Sequence, residues 1–402
     1  MMDDKSVELI NWFKEAVGTE ECSVKLEGMK EKGDGYMSDI NFAKITLNEP
    51  NQNGKELYMI AKVSKSGPEM RKFGEVLCKR EVAFYKEVVP LFNEFQMEKL
   101  VDEPFEALPK CYKTIVTDQT EVIVQENLMK KGYKLHNKKI PMNMNHIKLV
   151  MKNYAKFHAI SLALREQKPE VMAPFDESFT NWFVEQIAMF EPMYKSTVDK
   201  IIANLKEMDR SDLAKRYEKL VERGVPNMLT DLIKDMPEER VVTHADCHNG
   251  NFLFEYKDND DENPTNVVII DFQISFMFSP IIDISSYLYC GASKVELDQL
   301  DYILNYYHKE LSSFLSKLGS NADEIFPVAT MWEHWEKYSF YGFNVASSLL
   351  ELLFVEADDA PDFEVESSKG MEKFDINVKD RKPYLKRLVE IVEHYLDVHN
   401  VH

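Results

Sequence analysis

Three side chains that could bind a metal ion lie in one stretch of the second half of the chain. Asp246 belongs to a polar, turn-rich loop, whereas Asn251 and Asp271 begin and end two apolar runs separated by a polar segment. Two such runs around a polar segment predict a β-hairpin. A hairpin symmetric about Asp261 would place Asn251 opposite Asp271, about 5 Å away. These oxygen donors suit Mg²⁺, which binds proteins through one or two groups and takes phosphate and water as its other ligands.

The same loop allows a different metal site. His244, Asp246 and His248 alternate at the spacing of metal ligands, and Asp271 could complete a transition-metal centre. Under this interpretation the protein is a metal-dependent hydrolase. It assigns no role to the polar motifs nearer the start of the chain, so we keep it as the lesser alternative.

Two features nearer the start of the chain could bind phosphate. Gly33 and Gly35 fall in a predicted turn, where their backbone amides and the hydroxyl of Ser38 could cradle phosphate oxygens. Lys62 lies among the apolar residues of a predicted strand, and Lys65 is the fallback candidate. Taken singly, each feature is also typical of an ordinary turn or of an edge strand.

A lysine inside a strand needs a carboxylate to hold it. The helical segment that begins near Arg71 offers Glu81, which apolar neighbours surround. Glu75 and Glu87 lie in more polar surroundings and are the alternatives. The pattern therefore favours Glu81 as an inward-facing partner of Lys62.

Composition excludes several classes of function. The 402 residues contain 49 Lys and Arg against 69 Asp and Glu, and the net charge of −20 opposes binding to nucleic acid or to anionic membranes. The five cysteines form no CxxC pair, so neither a disulfide framework nor a zinc knuckle is indicated. We find no signal peptide and no apolar stretch of about 18 residues. These features predict a soluble, cytoplasmic protein.

Apolar residues recur at helical spacing through most of the second half. His158 lies on the apolar face of one such helix, which favours a hydrogen-bonded core histidine over a catalytic one. Another helix carries a dense aromatic cluster, from which one or two residues could wall a pocket for a small molecule. Its members are Met331, Trp332, Trp335, Tyr338, Phe340, Tyr341 and Phe343.

In this order the motifs resemble those of the protein-kinase-like small-molecule phosphotransferases. That group includes aminoglycoside phosphotransferases, choline and ethanolamine kinases and, with the greatest similarity, the ecdysteroid-kinase-like (CHK kinase-like) family. The matching segments are His244-Ala245-Asp246-Cys247-His248, Asp271-Phe272-Gln273, Glu81-Val82-Ala83-Phe84-Tyr85 and Phe157-His158-Ala159. Ala245 stands where the family usually has glycine, and His248 where it usually has tryptophan.

The resemblance implies an α+β, protein-kinase-like bilobal fold. A small β-rich N-lobe would cover residues 1–127, and a larger, mainly helical C-lobe would cover residues 128–402. ATP and Mg²⁺ would be the co-substrates, and the acceptor would be the hydroxyl of a small-molecule alcohol such as a steroid. The sequence leaves the acceptor and the oligomeric state open.

The resemblance also implies a nucleotide site in the N-lobe. Lys62, braced by Glu81, would position the phosphates under the glycine turn. The backbone of a hinge would contact the adenine ring through Gln125, Glu126, Asn127 and Leu128.

In the C-lobe the resemblance implies the reacting groups. Asp246 would orient and deprotonate the acceptor hydroxyl, and His244 would shape its loop. Asn251 and Asp271 would hold the metal. Asp283 would support the loop, with a structural role as plausible as a catalytic one. A catalytically silent nucleotide- or ligand-binding protein of the same fold is the remaining alternative, and the intact set of acids argues against it.

Overall fold

The computed structural model describes residues 3–29, 38–48, 54–64, 71–179, 182–257, 260–356, 376 and 378–402. A β-rich N-terminal part precedes a larger, mainly helical part, so the expected α+β organisation is confirmed. The division at residue 127 stays a prediction.

The N-terminal part is an antiparallel sheet with the strand order β1-β2-β3-β5-β4. Helix α1 (Asp4–Val17) covers one face of the sheet, and its first turn is capped by Asp3, whose side chain accepts a hydrogen bond from the Ser6 amide at 2.8 Å. The strands are β1 (Cys22–Met29), β2 (Ser38–Leu47), β3 (Glu56–Ser64), β4 (Cys111–Val116) and β5 (Glu121–Glu126).

Residues of β3 alternate between two environments, as the period of a strand requires. Ala61 and Val63 pack with Trp12 and Phe13 of α1 in one apolar cluster. Lys62 therefore points to the opposite face, where α2 (Arg71–Ala83) crosses the sheet. This alternation turns the lysine away from the apolar cluster and toward the helix that carries Glu81.

Helix α2 continues into α3 (Val89–Glu98) through one widened turn, Phe84–Val88. In this turn the Val89 amide donates to the carbonyl of Phe84, five residues earlier in the chain, whereas an α-helix uses the carbonyl four residues earlier. Pro90 follows directly and cannot donate a backbone hydrogen bond. Phe84 begins the widened turn, and its side chain is buried.

The second part consists of helices around two small sheets. None of the described helices combines the length and the apolar composition needed to cross a membrane. The helices are α4 (Met144–Gln167), α5 (Pro169–Ser178), α6 (Trp182–Glu207), α7 (Ser211–Leu220), α8 (Val225–Lys234), α9 (Ile281–Gly291), α10 (Lys294–Leu297), α11 (Leu300–Lys317), α12 (Ala322–Ile325), α13 (Val328–Phe354) and α14 (Arg381–Val398). The sheets pair β6 (Lys134–Leu135), β8 (Phe252–Tyr256) and β9 (Pro264–Ile269), and β7 (Val241–Val242) with β10 (Met277–Phe278).

The predicted hairpin forms from β8 and β9, but its register differs by one residue from the symmetric pairing. Phe252 pairs with Ile269, and the Ile270 amide donates to the Asn251 carbonyl at 3.0 Å. Asn251 therefore lies opposite Ile270, and the expectation that it faces Asp271 was wrong by one position. Tyr256 pairs with Pro264, so the turn end of the ladder is centred on Asp260, and the irregularity between Glu255 and Tyr256 shifts the remaining pairs by one position toward the predicted register.

Helices α9 and α13 approach closely at Gly342. A Cβ atom on this residue would lie 2.2 Å from the Ser286 backbone nitrogen, far inside any normal contact. The close approach therefore depends on glycine. It places α9, which carries Asp283, firmly in the core.

Candidate active site

Lys62 joins two parts of the chain through its amino group. Its Nζ lies 2.5 Å from Glu81 Oε2 and 2.6 Å from Asp271 Oδ1. Burial by itself would lower the pKa of Lys62, but the charges of Asp271 and Glu81 outweigh it and raise the pKa. The lysine is therefore charged at neutral pH and lies between two acids.

Glu81 is almost completely buried, and burial raises its pKa while Lys62 opposes the rise. The two alternative acids lie elsewhere: Glu75 pairs with Lys79, and Glu87 is exposed. Of the three candidates, Glu81 is the acid in contact with Lys62.

Of the predicted glycine turn, only Ser38 lies within the described residues. Gly33, Gly35 and the fallback Lys65 lie outside the described residues. Ser38 begins β2 in a buried position, with its Oγ 3.6 Å from Cys78 Sγ. Phosphate binding by this turn stays a prediction.

The predicted hinge, Gln125 to Leu128, begins in the last two residues of β5. The Glu126 amide donates to the Lys110 carbonyl at 3.0 Å, and the Asn127 amide donates to the Tyr58 carbonyl at 2.9 Å. The Asn127 side chain caps the short helical turn that begins at Leu128 by accepting from the Met129 amide. The hinge backbone is therefore held by the sheet before Asn127 and by the helix cap after it. Adenine binding by the hinge stays a prediction.

Gln125 lies on the same face of the sheet as Lys62, because Lys62 pairs with Ile123 and Ile60 pairs with Gln125. The side chain of Gln125 is buried. Gln125 is thus the first of the predicted hinge residues and lies on the face of the sheet that carries Lys62.

Both ring nitrogens of His244 form hydrogen bonds within the protein. Nε2 lies 3.0 Å from the Ile270 carbonyl and 3.1 Å from the Asp271 carbonyl, so Nε2 carries the proton and donates. Nδ1 then accepts from the Tyr154 hydroxyl at 3.0 Å. Burial lowers the pKa of His244, which keeps the ring neutral. His244 thus ties its loop to the segment of Asp271 and holds it in place.

This arrangement bears on the hydrolase alternative. A metal site built on His244, Asp246 and His248 would need a free nitrogen on His244, and both are engaged. In the part of the chain that the structure describes, no three His, Cys, Asp or Glu side chains converge as metal ligands. The geometry does not support a His-based metal centre.

Asp283 holds the backbone of the same loop. Its Oδ2 accepts from the His244 amide at 2.8 Å and from His158 Nε2 at 3.0 Å, while Oδ1 accepts from the Ala245 amide at 2.7 Å. His158 Nδ1 contacts the Tyr307 hydroxyl at 2.9 Å. The prediction of a hydrogen-bonded core histidine is confirmed, and Asp283 has a structural role.

Ala245 has a positive φ of 67°, and so does Asp271 with 71°. Residues other than glycine rarely adopt this conformation, so surrounding contacts must hold it. The Asp283 carboxylate provides such contacts at Ala245, and His244 contacts the Asp271 carbonyl. The two strained positions are thus Asp271 itself and the residue directly before Asp246.

Asn251 has its amide fixed by the loop. Its Nδ2 donates to the Asp246 carbonyl at 2.9 Å, which leaves Oδ1 as the atom able to bind a metal. The Asp271 side chain is 27% exposed. An amide oxygen and a partly exposed carboxylate are hard donors, so these residues fit Mg²⁺.

The sequence model of the ecdysteroid kinase-like family matches residues 32–320, more than half of the chain. The chain belongs to the ecdysteroid kinase-like family. Membership indicates a kinase-like phosphotransferase that acts on small molecules.

This ecdysteroid kinase-like protein also resembles two solved structures, the GDP complexes of aminoglycoside 2'-phosphotransferase-IIIa in its wild-type form and as a point mutant. The wild-type structure is 12% identical with a TM-score of 0.46, covering 99% of this chain and 100% of that chain. The mutant structure is 12% identical with a TM-score of 0.45, covering 98% of each chain. No curated protein matches the chain.

Two contacts of this ecdysteroid kinase-like site have no signature in the sequence. The rings of Phe84 and Phe272 stack with centroids 3.9 Å apart, which links the helix of Glu81 to the segment of Asp271. Tyr154 contacts His244 from α4. Phe84 and Phe272 belong to the motifs, and Tyr154 lies on the apolar face of a helix. The spacing of these residues in the sequence does not show which side chains they contact.

Proposed function

We propose that this protein transfers the γ-phosphoryl group of ATP to the hydroxyl of a small-molecule alcohol, with steroid alcohols as the first candidates. One observation carries the proposal: Lys62 contacts both Glu81 and Asp271, residues from distant parts of the chain. Membership in the ecdysteroid kinase-like family supports it. Phosphoryl transfer depends mainly on positioning and on neutralising charge, which this cluster can supply.

In the proposed reaction the acceptor oxygen forms a bond to the γ-phosphorus while the bond to the leaving ADP oxygen breaks. The hydroxyl proton passes to the Asp246 carboxylate. Lys62 binds the α and β phosphates, and Glu81 holds its amino group in position. Asn251 and Asp271 would hold Mg²⁺, which when bound neutralises phosphate charge.

For the nucleotide base we propose contact with the hinge backbone. The Glu126 and Asn127 amides already donate to protein carbonyls. The Leu128 amide is therefore our candidate donor to the adenine edge, with Gln125 behind it on the cleft face. Gly33, Gly35 and Ser38 would cover the phosphates.

For the acceptor we propose a site between the loop of Asp246 and the helices α6 and α13. Of the aromatic cluster on α13, Tyr341 reaches this loop: its hydroxyl donates to the Ala245 carbonyl at 3.4 Å. Tyr194 of α6 is buried as well. Aromatic walls of this kind suit a flat, apolar alcohol better than a polycation.

We place the protein in the cytoplasm, without a nucleic-acid or membrane partner. None of the five cysteines, all of which lie in the described part of the chain, forms a disulfide, which supports a reducing compartment. The net charge of −20 supports the absence of nucleic acid.

The test is a screen of the purified protein with ATP, Mg²⁺ and a panel of steroids, choline-like amines and aminoglycosides. Mass spectrometry should show the gain of one phosphate on an alcohol. Asp246→Asn should lower kcat about 10²-fold to 10⁴-fold, and Asp271→Asn about 10²-fold or more. Asp298→Asn changes an exposed acid and is the matched control.

Undiminished phosphorylation by Asp246→Asn would refute the role of that residue. ATP binding without turnover on any alcohol would instead support the silent binding protein.

A further inference from the structure

The ring of His248 is held by the backbone of the loop that carries Asp246. Its Nδ1 accepts a hydrogen bond from the Gly250 amide at 3.1 Å. A Cβ atom on Gly250 would lie 2.8 Å from His248 Cε1 and 3.0 Å from Nδ1, so the ring packs directly on the glycine. The orientation of the ring is therefore set before any ligand binds.

This contact decides which nitrogen carries the proton. A neutral imidazole has one donor and one acceptor nitrogen, and Nδ1 is the acceptor here. Nε2 must then carry the hydrogen. Nε2 lies 3.7 Å from Asp246 Oδ1, slightly beyond a hydrogen bond.

A small rotation of Asp246 closes this gap. Both side chains are partly exposed, 28% for His248 and 15% for Asp246, and of the two it is the His248 ring that Gly250 holds in place. Hydrogen bonds in active sites are often long without substrate and shorten in the complex. A carboxylate has two equivalent oxygens, and a donor fixed on one of them directs the other.

We propose that His248 is a positioning residue for Asp246. It donates Nε2–H to Oδ1, so that Oδ2 faces the acceptor hydroxyl. The inference rests on the proposed function, in which Asp246 receives the hydroxyl proton.

Two variants separate the donor from the acceptor nitrogen of His248. In His248→Asn the amide oxygen lies near the place of Nδ1 and can still accept from Gly250, but no donor reaches Asp246. In His248→Gln the amide nitrogen lies near the place of Nε2 and can still donate. His248→Asn should lower kcat about tenfold to a hundredfold with KM for ATP unchanged, because a hydrogen bond to a charged group is lost. His248→Gln should stay within about threefold of wild type. Equal kcat values for the two variants would overturn the inference.

A second measurement does not depend on turnover. In ¹⁵N-labelled protein, the imidazole signals of His248, assigned by their loss in His248→Gln, should show the Nε2-protonated tautomer. The Nε2–H proton resonance should move when Asp246 is changed to Asn. A protonated Nδ1, or a resonance that Asp246→Asn leaves unchanged, overturns the inference. A wild-type protein that phosphorylates no alcohol would refute the proposed function, while these spectra still decide the contact.

Discussion

Lys62 Nζ lies 2.6 Å from Asp271 Oδ1, although 209 positions separate the two residues in the sequence. The same nitrogen lies 2.5 Å from Glu81. The cation proposed to bind phosphate thus neutralises the acid proposed to bind metal. Nucleotide and metal would have to replace this ion pair when they bind together.

Removal of Lys62 should destabilise the protein through Glu81. Lys62→Met leaves a buried carboxylate without its cation and should cost about 3–5 kcal/mol in the free energy of unfolding. The double variant Lys62→Met/Glu81→Gln should recover part of this loss, because the buried group is then neutral. Urea unfolding followed by circular dichroism measures both.

The exposed pair of Lys294 and Asp298, 2.8 Å apart, is the control. Lys294→Met should change the free energy of unfolding by less than about 1 kcal/mol. If the single and the double variant at Lys62 were equally stable, Glu81 would not be the source of the loss.

Asp283 should be needed for the loop and for the fold. Its carboxylate accepts from two backbone amides and from His158, and Asp283→Asn would turn an NH₂ group toward these donors. We expect a loss of about 2–4 kcal/mol in unfolding free energy together with a loss of kcat. The exposed variant Asp298→Asn should change neither. A stable but inactive Asp283→Asn would argue for a catalytic role instead.

Ala245 should tolerate glycine but not valine. At a φ of 67° a Cβ atom destabilises the folded protein by about 1–2 kcal/mol, and glycine removes this strain. Glycine also raises the backbone entropy of the unfolded chain, which opposes folding and offsets part of the gain. Ala245→Gly should therefore melt within a few degrees of wild type. Ala245→Val places a β-branched residue at a buried, positive-φ position and should lose about 2 kcal/mol or more. Thermal melts compare the two variants. Equal melting temperatures would contradict the claim that the backbone at Ala245 is strained.

His394 should make the protein sensitive to acid. Its Nε2 donates to the Leu297 carbonyl at 2.9 Å, and burial lowers the pKa of His394 to about 4 from 6.5. Between these values the unfolded chain binds a proton that the folded protein does not. The contribution of His394 to the free energy of unfolding is therefore complete above pH 6.5. It falls as the pH drops toward 4, by up to about 1.4 kcal/mol per pH unit.

Urea midpoints at pH 7 and pH 5 test this expectation. His394→Gln should be less stable than wild type at pH 7 yet lose less stability on acidification. His402→Gln, at an exposed residue, should keep the wild-type dependence. A pH dependence unchanged in His394→Gln would contradict the assignment.

The sequence by itself determined the types of element and the set of polar residues. Alternating apolar residues predicted the strand of Lys62, and helical spacing predicted most of the second half, because these patterns depend on neighbours only a few positions away. The two apolar runs around a polar turn predicted the hairpin for the same reason.

Only the tertiary structure decided the pairings. The register of the β8–β9 ladder pairs Asn251 with Ile270 rather than with its predicted partner Asp271. The contact of Lys62 with Asp271, the engagement of both His244 nitrogens and the hold of Asp283 on its loop join residues far apart in the chain. Such contacts depend on how sheets and helices pack, and local preferences carry no information about that packing.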